Sequence, residues 1–361
     1  MELALFATQQ ILETSMTKIR TRLASLAPIA AVIAVMFSGA VHAQSAEVMS
    51  RLAKGAVANG NQITWYESSP EDQIGKVLAG FSKEYPEVKV RYVRLVGGNE
   101  LASRVIQEEQ AAGKSADVLT GGADHLWQLN SRGLLKDLSA ENLDLSEQLL
   151  PASYAVPTTA SVFVQIWNTK KIKDADVPKS WDELLDPKWT GKIGNWVRAA
   201  VFSQLSSVWG EEKAETELRK LVALKPYLFK STFPLAQGVA SGEVDVAIGF
   251  YHSLQPVLKA GAPINFSLLN PTPMYTISSG IPKSTVNPDA AMLLAMWLMT
   301  PNGAKIYEDA TSRGNHLVAS TDMHKMLQGV QLAEWSFDDT EKLAVINDKF
   351  NAILADGPKA R

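Results

Sequence analysis

The side chains able to do acid–base or metal chemistry in this 361-residue chain fall into no catalytic spacing. The histidines are His42, His125, His252, His316 and His324, and no two of them make the His-Glu-x-x-His pattern of a zinc protease. No glycine-rich loop ending in Lys-Ser or Lys-Thr is present to cradle a nucleotide. Cysteine is absent, which excludes disulfides, zinc–thiolate centres, iron–sulfur clusters and thiol nucleophiles. The nearest approach to a serine nucleophile elbow is GVASG at Gly238–Gly242, where the serine is displaced from the required position. A secreted α/β hydrolase stays open only as a remote alternative, because triads assemble in space rather than in sequence. The formal charge of −3 argues against a nucleic-acid partner, which needs a basic surface.

The chain is better supplied with hydrogen-bond donors at the starts of helices. Backbone N–H groups there are unpaired, and the helix dipole favours an anion. Ser68 and Ser69 follow a predicted strand and precede a helix, with Ser69 as N-cap and Pro70 at the first helical position. Asn99 follows Gly97-Gly98, and Gly122-Ala123 open a helix from about Asp124. Arg198 stands near another helix start. Either it forks onto a carboxylate or phosphate, or it is a solvated residue just outside the cap. Thr232 sits in a further cap, where capping and ligand binding share one geometry. Tyr251 and His252 follow the strand VDVAIGF as a turn, and Tyr275 begins the strand that runs to Ile281. Trp65, Trp167 and Trp196 lie in strands, where core packing is the expectation.

The elements that would carry these residues repeat one grammar of strand, turn and amphipathic helix, which predicts doubly wound α/β sheets. Strands are expected at 62–66, 88–95 and 117–120, each followed by a helix, so the helix starts gather at the strands' C-terminal edge. The segment 158–168 then reads as one long strand without turn signals. Further strands are expected at 192–196 and 244–250, with a second crossing near 270–274. Helices follow at 289–299, 303–310 and 338–354. Two lobes joined by two crossings is the expected architecture.

The N-terminus has a different character. Lys18, Arg20 and Arg22 precede an apolar stretch from Leu23 to Val41, and Val41-His42-Ala43 makes a small-x-small cleavage pattern. This order predicts a secretory signal peptide over residues 1–43, with Met16 as the working start and 1–15 upstream of it. Its alternative is an uncleaved membrane anchor.

Four stretches resemble the solute-binding proteins of ABC importers. They are WNTKKIKDADVPKSWDELLDPKWTGKIG from Trp167, ADVLTGGADHLWQLNSRGLL from Ala116, VASGEVDVAIGF from Val239 and SGIPKSTVNPDAAMLLAMWLMTPNGAKIY from Ser279. The likeness is to the subgroup with ferric-ion, phosphonate and small-anion binders. It implies a type II periplasmic-binding fold with two doubly wound lobes and a hinged cleft. Lobe 1 would be 44–157 plus 272–328 and lobe 2 158–271, with 329–361 packed on lobe 2. It also implies a monomeric, periplasmic, non-enzymatic protein without cofactor, handing a solute to a membrane permease. Ferric-binding relatives place a tyrosine pair where this chain has Tyr251-His252, and often a carboxylate near Gly121-Gly122. One phenolate and one imidazole are a poor set for a hard trivalent cation, even if Glu67 joined them. The expected solute is therefore a small organic or phosphorus-containing anion, with ferric ion as the alternative.

Overall fold

The computed structural model describes residues 46–96, 100–139, 143, 150 and 152–357. The signal-peptide segment, Met16 and the Gly97-Gly98-Asn99 turn lie outside the described residues. No described helix is long and apolar enough to cross a membrane.

From Leu52 onward the chain builds one ten-stranded sheet. Its first strands are β1 (Gln62–Glu67), β2 (Lys89–Arg94) and β3 (Val118–Gly121), followed respectively by helices α1 (Glu71–Glu84), α2 (Glu100–Ala112) and α3 (Ala123–Asn130). β1 pairs in parallel with both β2 and β3. α1 forms because Glu71 and Asp72 oppose the dipole in its first turn, while Ile74, Val77 and Phe81 recur on one buried face.

The second set comprises β4 (Val156–Asn168), α4 (Trp181–Leu184), β5 (Ile193–Trp196), α5 (Ala200–Trp209), α6 (Glu211–Ala223) and β6 (Tyr227–Phe229). It continues with α7 (Thr232–Ser241), β7 (Val246–Phe250), α8 (Tyr251–Lys259), β8 (Ile264–Ser267) and β9 (Thr272–Gly280). The sheet order is β2-β1-β3-β9-β4-β7-β5-β6, with β8 added on β4. β4 joins the two halves. Its Val156–Val162 stretch pairs antiparallel with β9, and Phe163–Trp167 pairs with β7. All thirteen β4 residues are buried. Two of its polar members find partners: the Thr158 and Ser279 hydroxyls lie 2.7 Å apart, and the Gln165 amide nitrogen donates to the Pro178 carbonyl at 2.9 Å, while Gln165 Oε1 has no partner among the described residues.

The chain closes with α9 (Pro288–Trp297), α10 (Pro301–Thr311), α11 (Asp322–Leu327), β10 (Leu332–Ala333) and α12 (Thr340–Ala355). Ile346, Phe350 and Leu354 of α12 join the core with Phe202, Leu218 and Leu221 of α5 and α6.

Three local expectations are corrected. Ser69 does not cap α1: Pro70 is the N-cap residue, and the Ser69 hydroxyl turns instead to Glu67 and Arg313. Tyr251-His252 is not a turn but the first turn of α8, which tolerates Pro256. Trp196 is only partly buried, whereas Trp65 and Trp167 are core residues.

Candidate ligand-binding site

The parallel strands β1, β2 and β3 end at a common edge, and a cavity of about 220 Å3 lies there. β1 contributes Glu67 and the following Ser68; β3 and the start of α3 contribute Thr120, Gly121, Gly122 and His125. The joining strands add Ser161 and Ile277, and Arg313 closes the wall from the loop after α10.

Glu67 is 2 % exposed and is held by donors on every side. Its carboxylate accepts from the Ser69 amide at 2.6 Å, the Ser69 hydroxyl at 3.0 Å, Tyr92 Oη at 2.9 Å and Tyr307 Oη at 3.3 Å. Burial, reinforced by the Glu67 charge, pushes both phenols above the ordinary tyrosine range, so they stay protonated and donate.

Arg313 spans the site. Nη1 donates to Ser69 Oγ at 2.8 Å and stands 3.6 Å from the Glu67 carboxylate, while Nη2 meets His252 Nε2 at 3.3 Å. A guanidinium can only donate, so Nε2 must accept and the imidazole proton must sit on Nδ1. Burial, then the Arg313 charge, holds His252 well below the usual histidine range, consistent with the neutral ring. Two buried donors, Arg313 Nε and His252 Nδ1, have no partner among the described residues. A buried donor left unpaired costs about 1–3 kcal/mol, so an acceptor that reached either would gain that much. Gly314 fixes the Arg313 loop: its carbonyl accepts from the Ala160 amide at 2.8 Å, and a Cβ there would fall 2.1 Å from Glu308 Oε1.

The residues expected from the sequence are distributed unevenly. Glu67, Ser68 and Gly122 line the cavity, Gly122 as N-cap of α3 with its amide 3.3 Å from His125 Nδ1. Ala123 follows as the first residue of α3. Ser69 is fully engaged in bridging Glu67 to Arg313. Thr232 is buried with its hydroxyl 2.7 Å from Ser253 Oγ, outside the cavity wall. Tyr251 turns away, edge-on to Phe266 at 5.3 Å, and burial holds its phenol above the ordinary range. Arg198 is exposed, one residue before the Ala199 N-cap of α5, with its guanidinium 5.1 Å over the Trp196 ring. Tyr275 is half-buried opposite Ser161 across the β4–β9 register. Among the described residues, no group of three or more His, Asp or Glu stands where it could hold a metal.

Arg313, Thr120, His125 and Ser161 line the cavity without having been singled out from the sequence. Arg313 sits 244 residues from Ser69, and its only local signal is a charged residue beside Gly314 at the end of a helix.

Comparison with known proteins matches residues 76–317 to the profile described as "Bacterial extracellular solute-binding protein". A protein of Serratia marcescens named "Fe(3+)-binding periplasmic protein" is 26 % identical over 303 residues, covering 80 % of this chain and 84 % of that one. The structure of iron-bound HitA from Pseudomonas aeruginosa aligns with TM-score 0.67 at 20 % identity, over 80 % of this chain and 99 % of that one. AfuA from Actinobacillus pleuropneumoniae, solved with fructose-6-phosphate bound, aligns with TM-score 0.66 at 21 % identity, over 82 % and 99 % of the two chains. At that identity both structures speak for the fold alone.

Proposed function

We propose, on the premise that this chain belongs to the bacterial extracellular solute-binding proteins, that it captures a small anionic organic or phosphorus-containing solute. The family is non-enzymatic and periplasmic, and its members pass a solute to an ABC permease, which removes the hydrolase alternative. Several similar proteins are named for ferric ion and another carries a sugar phosphate, so the site's own chemistry has to choose.

The observation that carries the anion reading is Arg313. The Arg313 guanidinium, Ser68 and the start of α3 converge on one cavity. That is a donor set with little to offer a cation. Its one carboxylate, Glu67, is already saturated by tyrosine, serine and amide donors. Tyr251, the tyrosine a ferric site would use, packs against Phe266 with its phenol held protonated. The start of α3 offers glycines where ferric relatives often place a carboxylate. The paired strands β4 and β9 would be the hinge of the cleft, with the helix starts facing each other across it.

Calorimetry of Arg313→Ala tests this. Removing one partner of a desolvated ion pair costs about 2–5 kcal/mol, at least about thirtyfold in Kd. Arg313→Lys should recover little, because an ammonium cannot reproduce the fork. Tyr251→Phe should bind the anion as the parent does. If Tyr251→Phe abolishes binding while Arg313→Ala leaves it intact, the solute is ferric ion and the anion reading fails.

A further inference from the structure

We propose that the solute joins an aromatic ring to its anionic group, an inference that rests on the anion reading above. The site has room for more than a simple oxyanion. At about 220 Å3 the cavity is several times the roughly 30 Å3 share of one water molecule. The cavity wall also continues into aromatic surface. Ser161 and Ile277 line it, and half-buried Tyr275, two residues from Ile277 on β9 and directly opposite Ser161, shares their face, with Phe163 packed against it in the core.

From there the rings form a row. Phe163 lies 5.9 Å from Tyr275 and stacks on Phe250 at 4.1 Å. Phe250 stacks on His252 at 5.2 Å and takes the edge of Trp196 at 5.8 Å. Phe233 adds an edge contact to His252 at 6.0 Å. Trp196 and Phe250 end β5 and β7, the strand edge at which ligands sit in such sheets. Two members of the row carry a guanidinium: His252 meets Arg313, and Trp196 lies under Arg198. Phe233 and Val197, at 43 % and 41 % exposed, leave apolar surface in water beside this row. An alkyl body would gain only buried area there, whereas a flat ring also gains edge-to-face and stacking contacts with its neighbours. These two arginines suit a ring with an anionic substituent.

Two matched pairs of probes separate the ring from the charge: phenyl phosphate against cyclohexyl phosphate, and benzoate against cyclohexanecarboxylate. They are titrated into full-length protein stripped of carried solute by dialysis from denaturant. The inference predicts that the aromatic member of at least one pair binds some two- to tenfold more tightly than its saturated partner. It further predicts that the exposed-site variant Phe233→Ala erases that preference while leaving the saturated probe unchanged. Equal binding within both pairs, or a preference untouched by Phe233→Ala, overturns the ring and leaves the anion reading standing. Absence of binding by all four probes at millimolar concentration overturns both.

Discussion

Glu67 shows how a buried carboxylate can hold a neighbouring guanidinium in place. Glu67 is saturated by neutral donors and fixes the guanidinium through Ser69. Taking the carboxylate away would leave Arg313, Tyr92, Tyr307 and the Ser69 amide without their acceptor. Breaking a buried pair in this way costs about 3–5 kcal/mol. Glu67→Ala should therefore lower the urea midpoint well below that of the parent protein; a shift worth less than about 1 kcal/mol would show that the pair is not structurally coupled. Little of this was legible in the sequence. Glu67 and Ser69 stand in an obvious strand-to-helix turn, and a cap was the reasonable expectation. The partner that redirects Ser69 is far away in the chain, and nothing local announces it.

At the scale of elements the reading went further, because periodicity is a local property. The three strand–helix units before residue 131 and the long strand β4 follow from alternating and helical spacing, with ends displaced by a residue or two. α8 was missed because Pro256 and the aromatic Tyr251-His252 step look like a loop, yet burial of His252, Ser253 and Leu254 overrides that local signal. The segment after α11 makes its own attachment to the joining strands. The Glu334 carboxylate accepts from the Thr276 amide and from Thr276 Oγ1 at 3.0 Å. Burial raises its pKa from 4.5 to about 7, against the lowering effect of those two hydrogen bonds. With the folded value above the unfolded one, the contribution to stability is complete below about 4.5 and is lost as pH rises through about 7. Glu334→Gln keeps an acceptor and removes the titration. Its melting temperature, relative to the parent, should therefore rise between pH 5 and pH 8. A difference that does not change with pH would contradict the assignment.

Across the whole molecule, among the described residues, β9 and β4 join two α/β halves, β2-β1-β3 on one side and β7-β5-β6 on the other. If they act as a hinge, solute should draw the halves together by rigid-body closure. Small-angle scattering should then give a smaller radius of gyration with saturating solute, and an unchanged radius would count against a closing cleft. The central claim, though, is the chemistry of what is captured. It is tested most directly by mass spectrometry and elemental analysis of the solute released when protein purified from its native periplasm is denatured. The account predicts about one equivalent of a small organic or phosphorus-containing anion and no stoichiometric metal. One equivalent of iron, with a visible phenolate-to-iron absorption band in the intact protein, would contradict it.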